Sequence, residues 1–182
     1  MGKRVHNKIK LNNIYKNCLH FLSHQYKKNS PASYSIQDLY DTTNIKNGIV
    51  LNEVASLVYG SKSLSIIADN CFFDLCREFL VHINSFGLDT FLYDSDVDRE
   101  IKKSDIVFVL TLNENNHEEL LNMLNECNVK VVDIISENNK EKKSKSDFTL
   151  YYLDDLNFDQ VLCVDATLNC VGINVSVKFN NM

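Results

Sequence analysis

Residues 105–111 read Asp-Ile-Val-Phe-Val-Leu-Thr, a nearly unbroken apolar run. A strand of that kind is buried on both faces, the situation of a central strand in a parallel sheet. Parallel neighbours need crossover connections, usually helices, and the chain after Gly60 supplies them in alternation. Ser63 to Ala68 reads as a strand, Phe72 to Phe86 as a helix stopped by Gly87, and Thr90 to Tyr93 as a second strand. Asp96 to Lys103 suits a brief charged helix before the run at 105–111. Glu118 to Cys127 is an amphipathic helix, Val129 to Ile135 a strand, Glu137 to Ser146 a polar Lys-rich loop, and Phe148 to Leu153 a fifth strand. Gln160 to Val177 closes the pattern as a helix, with a Val-rich end that also suits a strand. This alternation predicts an α/β fold, a three-layer sandwich around a five-stranded parallel sheet, with any ligand at the carboxyl ends of the strands.

Before Gly60 the pattern is helical. Leu11, Ile14, Tyr15, Cys18, Leu19, Leu22 and Tyr26 fall at helical spacing and give one apolar stripe on a basic helix. Lys27 to Ala32 breaks it, a short helix capped by Ser35 follows, Thr42 to Gly48 reads as a connection, and Ile49 to Tyr59 as a third helix. The expected division is therefore a basic helical segment at 1–48 and an α/β domain at 49–182. Residues 1–37 hold seven Lys or Arg and no Asp or Glu, whereas the rest holds twelve basic against 24 acidic residues. Such an arm suits either a solvated helix face or weak contact with nucleic-acid phosphates through residues 3–28.

With 182 residues, 45% hydrophobic and 24% charged, the chain has enough apolar side chain for one core, which excludes a disordered or disulfide-scaffold class. No run approaches the about 20 apolar residues of a membrane span, and Met1 to His6 leads into polar residues without a signal-peptide pattern. A cytoplasmic location is expected. Cys18, Cys71, Cys76, Cys127, Cys163 and Cys170 show no C-x-x-C pair and read as free, small, buried apolar residues rather than nucleophiles. His20 and His24 are four apart, a metal-compatible spacing, but no third ligand follows and they read as exposed helix histidines.

The strand ends are Ala68-Asp69-Asn70-Cys71, Tyr93-Asp94-Ser95, Thr111-Leu112-Asn113-Glu114-Asn115-Asn116 and Ser136-Glu137-Asn138. The third strand with its helix (Asp105 to Leu120), the fourth (Val131 to Ser136) and the return Lys145-Ser146-Asp147-Phe148 resemble, in order and spacing, the sugar isomerase (SIS) domain. The likeness covers residues 49–175. It implies a phosphosugar pocket in which small hydroxyls and exposed amide hydrogens hold the ester at a helix start. In that family the first turn carries Gly-x-Gly-x-Ser and the third strand a Ser-x-Ser-Gly-x-Thr loop. Here Asp69 and Asn70 stand in the first turn. In the second loop Thr111 supplies the first hydroxyl, Asn113 replaces the second, and Glu114 replaces the glycine. Carboxylates near a dianion oppose it by about 1 kcal/mol per pair even when well solvated, while Asn113, Asn115 and Asn116 offer amide hydrogens. The ligand-binding set implied by the resemblance is Asp69, Asn70, Thr111, Asn113, Asn115, Asn116 and Ser136, with no catalytic residue, cofactor or metal.

The likeness is strongest to the sugar domain of RpiR-type bacterial regulators. Ile14 to Asn29 and Ser35 to Ile45 resemble the first two helices of their helix-turn-helix module, but a reading helix does not follow, so sequence-specific DNA contact is not expected from the pattern. The resemblance implies a non-catalytic, phosphosugar-sensing regulator, a homodimer or tetramer, with a diverged pocket. Two alternatives stay open: an aldose–ketose phosphosugar isomerase, whose base would come from Glu114, His117 or Glu118, and a self-associating scaffold. The plainer reading of those three side chains is a capping region and the solvent face of a helix.

Overall fold

The computed structural model describes residues 36–94, 105–112, 114–139, 145–154 and 159–180. In chain order these form α1 (Ile36–Tyr59), β1 (Ser63–Ala68), a 3-10 turn (Asn70–Phe72), α2 (Phe73–Asn84), β2 (Asp89–Asp94), β3 (Ile106–Leu110), α3 (Glu114–Glu126), β4 (Lys130–Ser136), a second 3-10 turn (Glu137–Asn139), β5 (Phe148–Tyr152) and α4 (Gln160–Asn180). The expected five-stranded parallel sheet is present, in the order β2-β1-β3-β4-β5. The apolar run at 105–111 becomes β3, the middle strand, and every residue of it is buried. Strand alternation divides its side chains between two cores. Leu64, Ile66, Phe108 and Ile134 meet α1, α2 and α4. Val107, Val109 and Val131 meet Leu121 and Leu124 of α3 on the other face. This is the expected three-layer arrangement, with Phe108 stacked on Phe79 of α2 at 5.9 Å between ring centroids.

The helical lead-in differs from the sequence reading. The expected connection at Thr42 to Gly48 is helical, and α1 runs unbroken for 24 residues, so the division at 48/49 falls inside it. The reason is the identity of the inward residues. Leu39, Tyr40, Thr43, Asn47, Leu51, Val54 and Val58 are all buried at helical spacing, but two of them are polar and interrupt the apolar stripe on paper. Gly48 faces open space and costs the helix only its weaker propensity. The basic helix at 9–26, residues 3–28, the Ser35 cap, His20 and His24, and the charged helix at 96–103 lie outside the described residues.

Asn47 has a definite task. Its side-chain amide donates to the Tyr151 carbonyl at 2.8 Å and to the Thr43 carbonyl at 3.1 Å, and its Oδ1 accepts from the Tyr151 amide at 2.8 Å. Tyr151 lies on β5, the edge strand, so a side chain from α1 supplies the partner that a sixth strand would. Replacing Asn47 with Ala is expected to cost about 1–3 kcal/mol, the penalty for orphaned polar groups. The check is a lower urea midpoint with an unchanged m value. Asn47→Asp should not restore it, because a carboxylate cannot donate to the Tyr151 carbonyl.

α4 is helical to Asn180, so the Val-rich end is not a strand. By length and composition it is apolar enough to cross a membrane. Its burial accounts for that character, since Leu162, Cys163, Val164, Ala166, Leu168, Cys170, Val171 and Val175 all lie in the core shared with α1, α2 and the sheet. Where α4 meets α2, His82 pairs with Ser176 at 3.0 Å. Burial, then the charge of Glu78, pushes Asp165 up to about 6, against a hydrogen bond from Asn169.

Cys76, Cys163 and Cys170 are buried as expected, but Cys71 and Cys127 are exposed; all five are free thiols and Cys18 lies outside the described residues. Acidic side chains tie neighbouring strands at the amino-terminal end of the sheet. Asp105 accepts from the Lys62 and Ser63 amides at 2.7 and 3.1 Å, and Asp147 from the Val131 amide at 2.9 Å and the Lys130 ammonium at 2.5 Å.

Candidate functional site

The strand order reverses between β1 and β3. The chain leaves β1 toward β2 on one side and leaves β3 toward β4 on the other. The helices that follow, α2 and α3, cover opposite faces, so they diverge and leave a crevice beyond the carboxyl ends of these two strands. Two of the expected residues, Asp69 and Thr111, stand on its two sides.

Asp69 follows β1 directly and its backbone is extended (φ −70°, ψ 150°). It makes no side-chain cap for the turn it precedes. Its amide donates to the Leu110 carbonyl at 3.1 Å, and its Oδ2 accepts from the Leu112 amide at 2.5 Å. A carboxylate thus bridges the crevice and takes a backbone hydrogen at the end of β3. Beside it Asn70 is exposed, opening the 3-10 turn. Although Cys71 is exposed, partial desolvation and then the charge of Asp69 push its thiol up, away from the thiolate form that a nucleophile needs.

Thr111 ends a hydrogen-bonded chain of three side chains. Its hydroxyl lies 2.7 Å from Nδ1 of His117, and His117 Nε2 lies 3.0 Å from Oδ2 of Asp133. Asp133 is fully buried in the middle of β4, and the His117 side chain is 19% exposed. The expectation of His117 in a capping or solvent-facing position is therefore corrected. α3 starts at Glu114, which puts position 117 over the sheet, where Val107, Val109, Thr111 and Asp133 share one face. Both ring nitrogens are engaged, so the imidazole acts only through the Thr111 hydroxyl. Glu118 is exposed and meets the Lys145 ammonium at 2.9 Å, which holds its carboxyl below the ordinary range by hydrogen bond and then by charge.

Ser136 ends β4 and is turned by strand alternation to the side of Val132 and Ile134, opposite Thr111. Its hydroxyl donates to Asp154 at 2.8 Å and accepts from the Asn138 amide at 3.1 Å, and the Asn138 side chain donates to the same carboxylate oxygen at 3.0 Å. The expected set thus falls into two groups, one at β1 and β3 and one at β4 and β5. Asn113 lies outside the described residues. Asn115 and Asn116 occupy the first turn of α3, and their side chains are not described.

Asp133 and Asp154 were not singled out by sequence reasoning. Asp133 carried a usable signal: a carboxylate inside Val-Val-Asp-Ile-Ile must be buried with the strand and must have a partner. Asp154 sits in a polar stretch and carries none. Among the described residues no group of three His, Cys, Asp or Glu is arranged to hold a metal ion.

No protein-family model matches the chain, and no curated protein matches its sequence. Solved structures do. The C-terminal domain of glucosamine-fructose-6-phosphate aminotransferase from Francisella tularensis matches with a TM-score of 0.62 and 12% identity, covering 80% of this chain and 44% of that one. A Bacteroides fragilis protein named as a phosphosugar isomerase involved in capsule formation matches with a TM-score of 0.51 and 12% identity, covering 91% of each chain. A protein described as hypothetical matches with a TM-score of 0.52 and 9% identity over 77% of this chain and 87% of its own. The chain spans under half the length of the first of these. At such identities the likeness establishes the architecture alone, a five-stranded parallel sheet between helical layers, SIS-like in its arrangement.

Proposed function

We propose that this chain is a non-catalytic sensor of a sugar phosphate, akin to RpiR-type regulators, with its ligand at the β1–β3 crevice. Asp69, Asn70 and Thr111 stand at the site, and Asn113, Asn115, Asn116 and Ser136 are assigned to it by the resemblance alone. The observation that carries this reading is the placement of the Thr111 hydroxyl across from Asp69 at the switch point of the sheet. Two structures of the same architecture carry names that refer to phosphosugar chemistry. Binding without turnover is favoured because His117 offers no open nitrogen and Glu118 is held by Lys145. Weak DNA contact through residues 3–28 and a homodimeric or tetrameric state belong to this proposal, and they rest on the basic arm and the resemblance alone.

The expected result is a rise in melting temperature with glucosamine 6-phosphate or fructose 6-phosphate. Saturation to about 100 Kd adds about 2.7 kcal/mol, or about 5–10 °C for a domain of this size. Thr111→Val should abolish the rise. No shift with any hexose or amino-sugar phosphate at millimolar concentration overturns the reading.

The Thr111–His117–Asp133 chain favours a second reading, an aldose–ketose isomerase that moves protons through the Thr111 hydroxyl. Interconversion of an aldose phosphate and its ketose, lost in His117→Gln, would select it.

A further inference from the structure

We propose that His117 sets the proton balance of this site, so that a sugar phosphate binds together with one proton taken up by the imidazole. The inference rests on the sugar-phosphate reading above and adds a linkage that the fold does not imply.

The hydrogens along the chain of three side chains are limited by its geometry. Asp133 is fully buried and accepts from His117 Nε2, so Nε2 carries a hydrogen whether the ring is neutral or charged. The remaining nitrogen, Nδ1, faces the Thr111 hydroxyl at 2.7 Å, and its state decides what Thr111 presents to the crevice. With the ring neutral, Nδ1 is an acceptor and consumes the hydroxyl hydrogen. Thr111 then shows only lone pairs outward, and the neighbouring Leu112 amide is already given to Asp69. Both donors at the end of β3 are turned inward, a surface that repels phosphate oxygens. With the ring protonated, Nδ1–H donates to the Thr111 oxygen, and the hydroxyl hydrogen rotates out to meet an anion. The imidazolium is then one hydroxyl away from the phosphate, and Asp133 balances its charge from behind.

A dianion therefore selects the charged ring. A neutral polyol that offers hydroxyl hydrogens selects the neutral one. Among the described side chains, the charged groups around this corner are Asp133 on β4, Asp69 on the β1 turn, and Glu118 on α3, the last paired with Lys145 from the segment before β5. His117 is a positioning residue in this account, because it reaches the ligand only through Thr111.

The test is calorimetric titration of the full chain at pH 6.5, 7.25 and 8, in buffers of different ionisation enthalpy. The probes are glucose 6-phosphate and glucose 6-sulfate. The phosphate ester itself titrates near pH 6, whereas the sulfate ester takes up no proton, so proton uptake with the sulfate belongs to the protein. The expected result is net proton uptake on binding and an affinity that strengthens on acidification, by at most about tenfold per pH unit, the slope for one linked proton. In His117→Gln the uptake should vanish and the residual affinity become independent of pH, and Thr111→Val should lose binding and uptake together. Binding by the wild type without proton uptake overturns the inference and leaves the sugar-phosphate reading intact. Uptake that persists in either variant also overturns it, by placing the proton elsewhere. Binding of neither probe at any pH overturns this inference, and the underlying reading falls with it if no other hexose or amino-sugar phosphate shifts the melting temperature. Absence of uptake by the wild type overturns the inference even if a variant fails to fold.

Discussion

Asp165→Asn is expected to stabilise the protein at neutral pH, and by a large increment. In the folded chain burial first, and the charge of Glu78 second, push this carboxyl from its ordinary 3.8 to about 6. The folded state then holds a proton that the unfolded chain releases. The stabilisation from this group is complete below pH 3.8 and is lost as pH rises through about 6. That displacement corresponds to about 3 kcal/mol missing at pH 7. Asn keeps the shape and still accepts the Asn169 hydrogen bond, but it has no charge to desolvate. Denaturation of the wild type and Asp165→Asn at pH 4, 5, 6 and 7 should give curves that diverge as pH rises, with the variant about 2–3 kcal/mol more stable at pH 7. Glu78→Gln should recover the smaller part, since charge is the second cause. Equal stability of the wild type and Asp165→Asn across the series would show that the carboxyl is solvated.

The second large effect concerns binding. Under the proposed function, Asp69→Ala is expected to tighten sugar-phosphate affinity by about two orders of magnitude. Removing one carboxylate from beside a dianion relieves about 2 kcal/mol of repulsion at contact distance even in a water-like dielectric. It also releases the Leu112 amide, and a hydrogen bond from it to a charged oxygen adds about 1 kcal/mol or more. Titration calorimetry of the two proteins with fructose 6-phosphate measures the ratio. An unchanged or weaker affinity in Asp69→Ala would mean that the carboxylate serves the ligand, as an acceptor of sugar hydroxyls, rather than excluding it. The change should also loosen the junction of β1 and β3, because the backbone bond from Asp69 to Leu110 then acts alone.

The sheet was legible because its signal is redundant. Apolar runs such as Ile106 to Leu110 and Val131 to Ile135 can be buried in few ways, and the helices between them fix the strands as parallel. α1 was not, because a periodicity of apolar residues cannot register Thr43 and Asn47, two buried polar side chains of which Asn47 is held by hydrogen bonds to the edge strand. The candidate site was half legible. Strand ends can be located from the sequence, so Asp69, Thr111 and Ser136 were found, but partners cannot. Nothing in residue spacing tells that Asp69 would reach the Leu112 amide, that His117 would face inward to Thr111 and Asp133, or that Ser136 would turn away to Asp154. Those pairings depend on strand register and on where α3 starts, which are tertiary outcomes.

The amide of Asn47 also bears on how copies of the chain meet. An incoming peptide or a second molecule that tried to lengthen the ladder along β5 would find Tyr151 bonded at both its backbone groups, and would first have to expel a side chain held by three hydrogen bonds. Fibril-like growth and strand exchange are thereby barred on that flank, and the block comes from within the same polypeptide, ahead of any encounter.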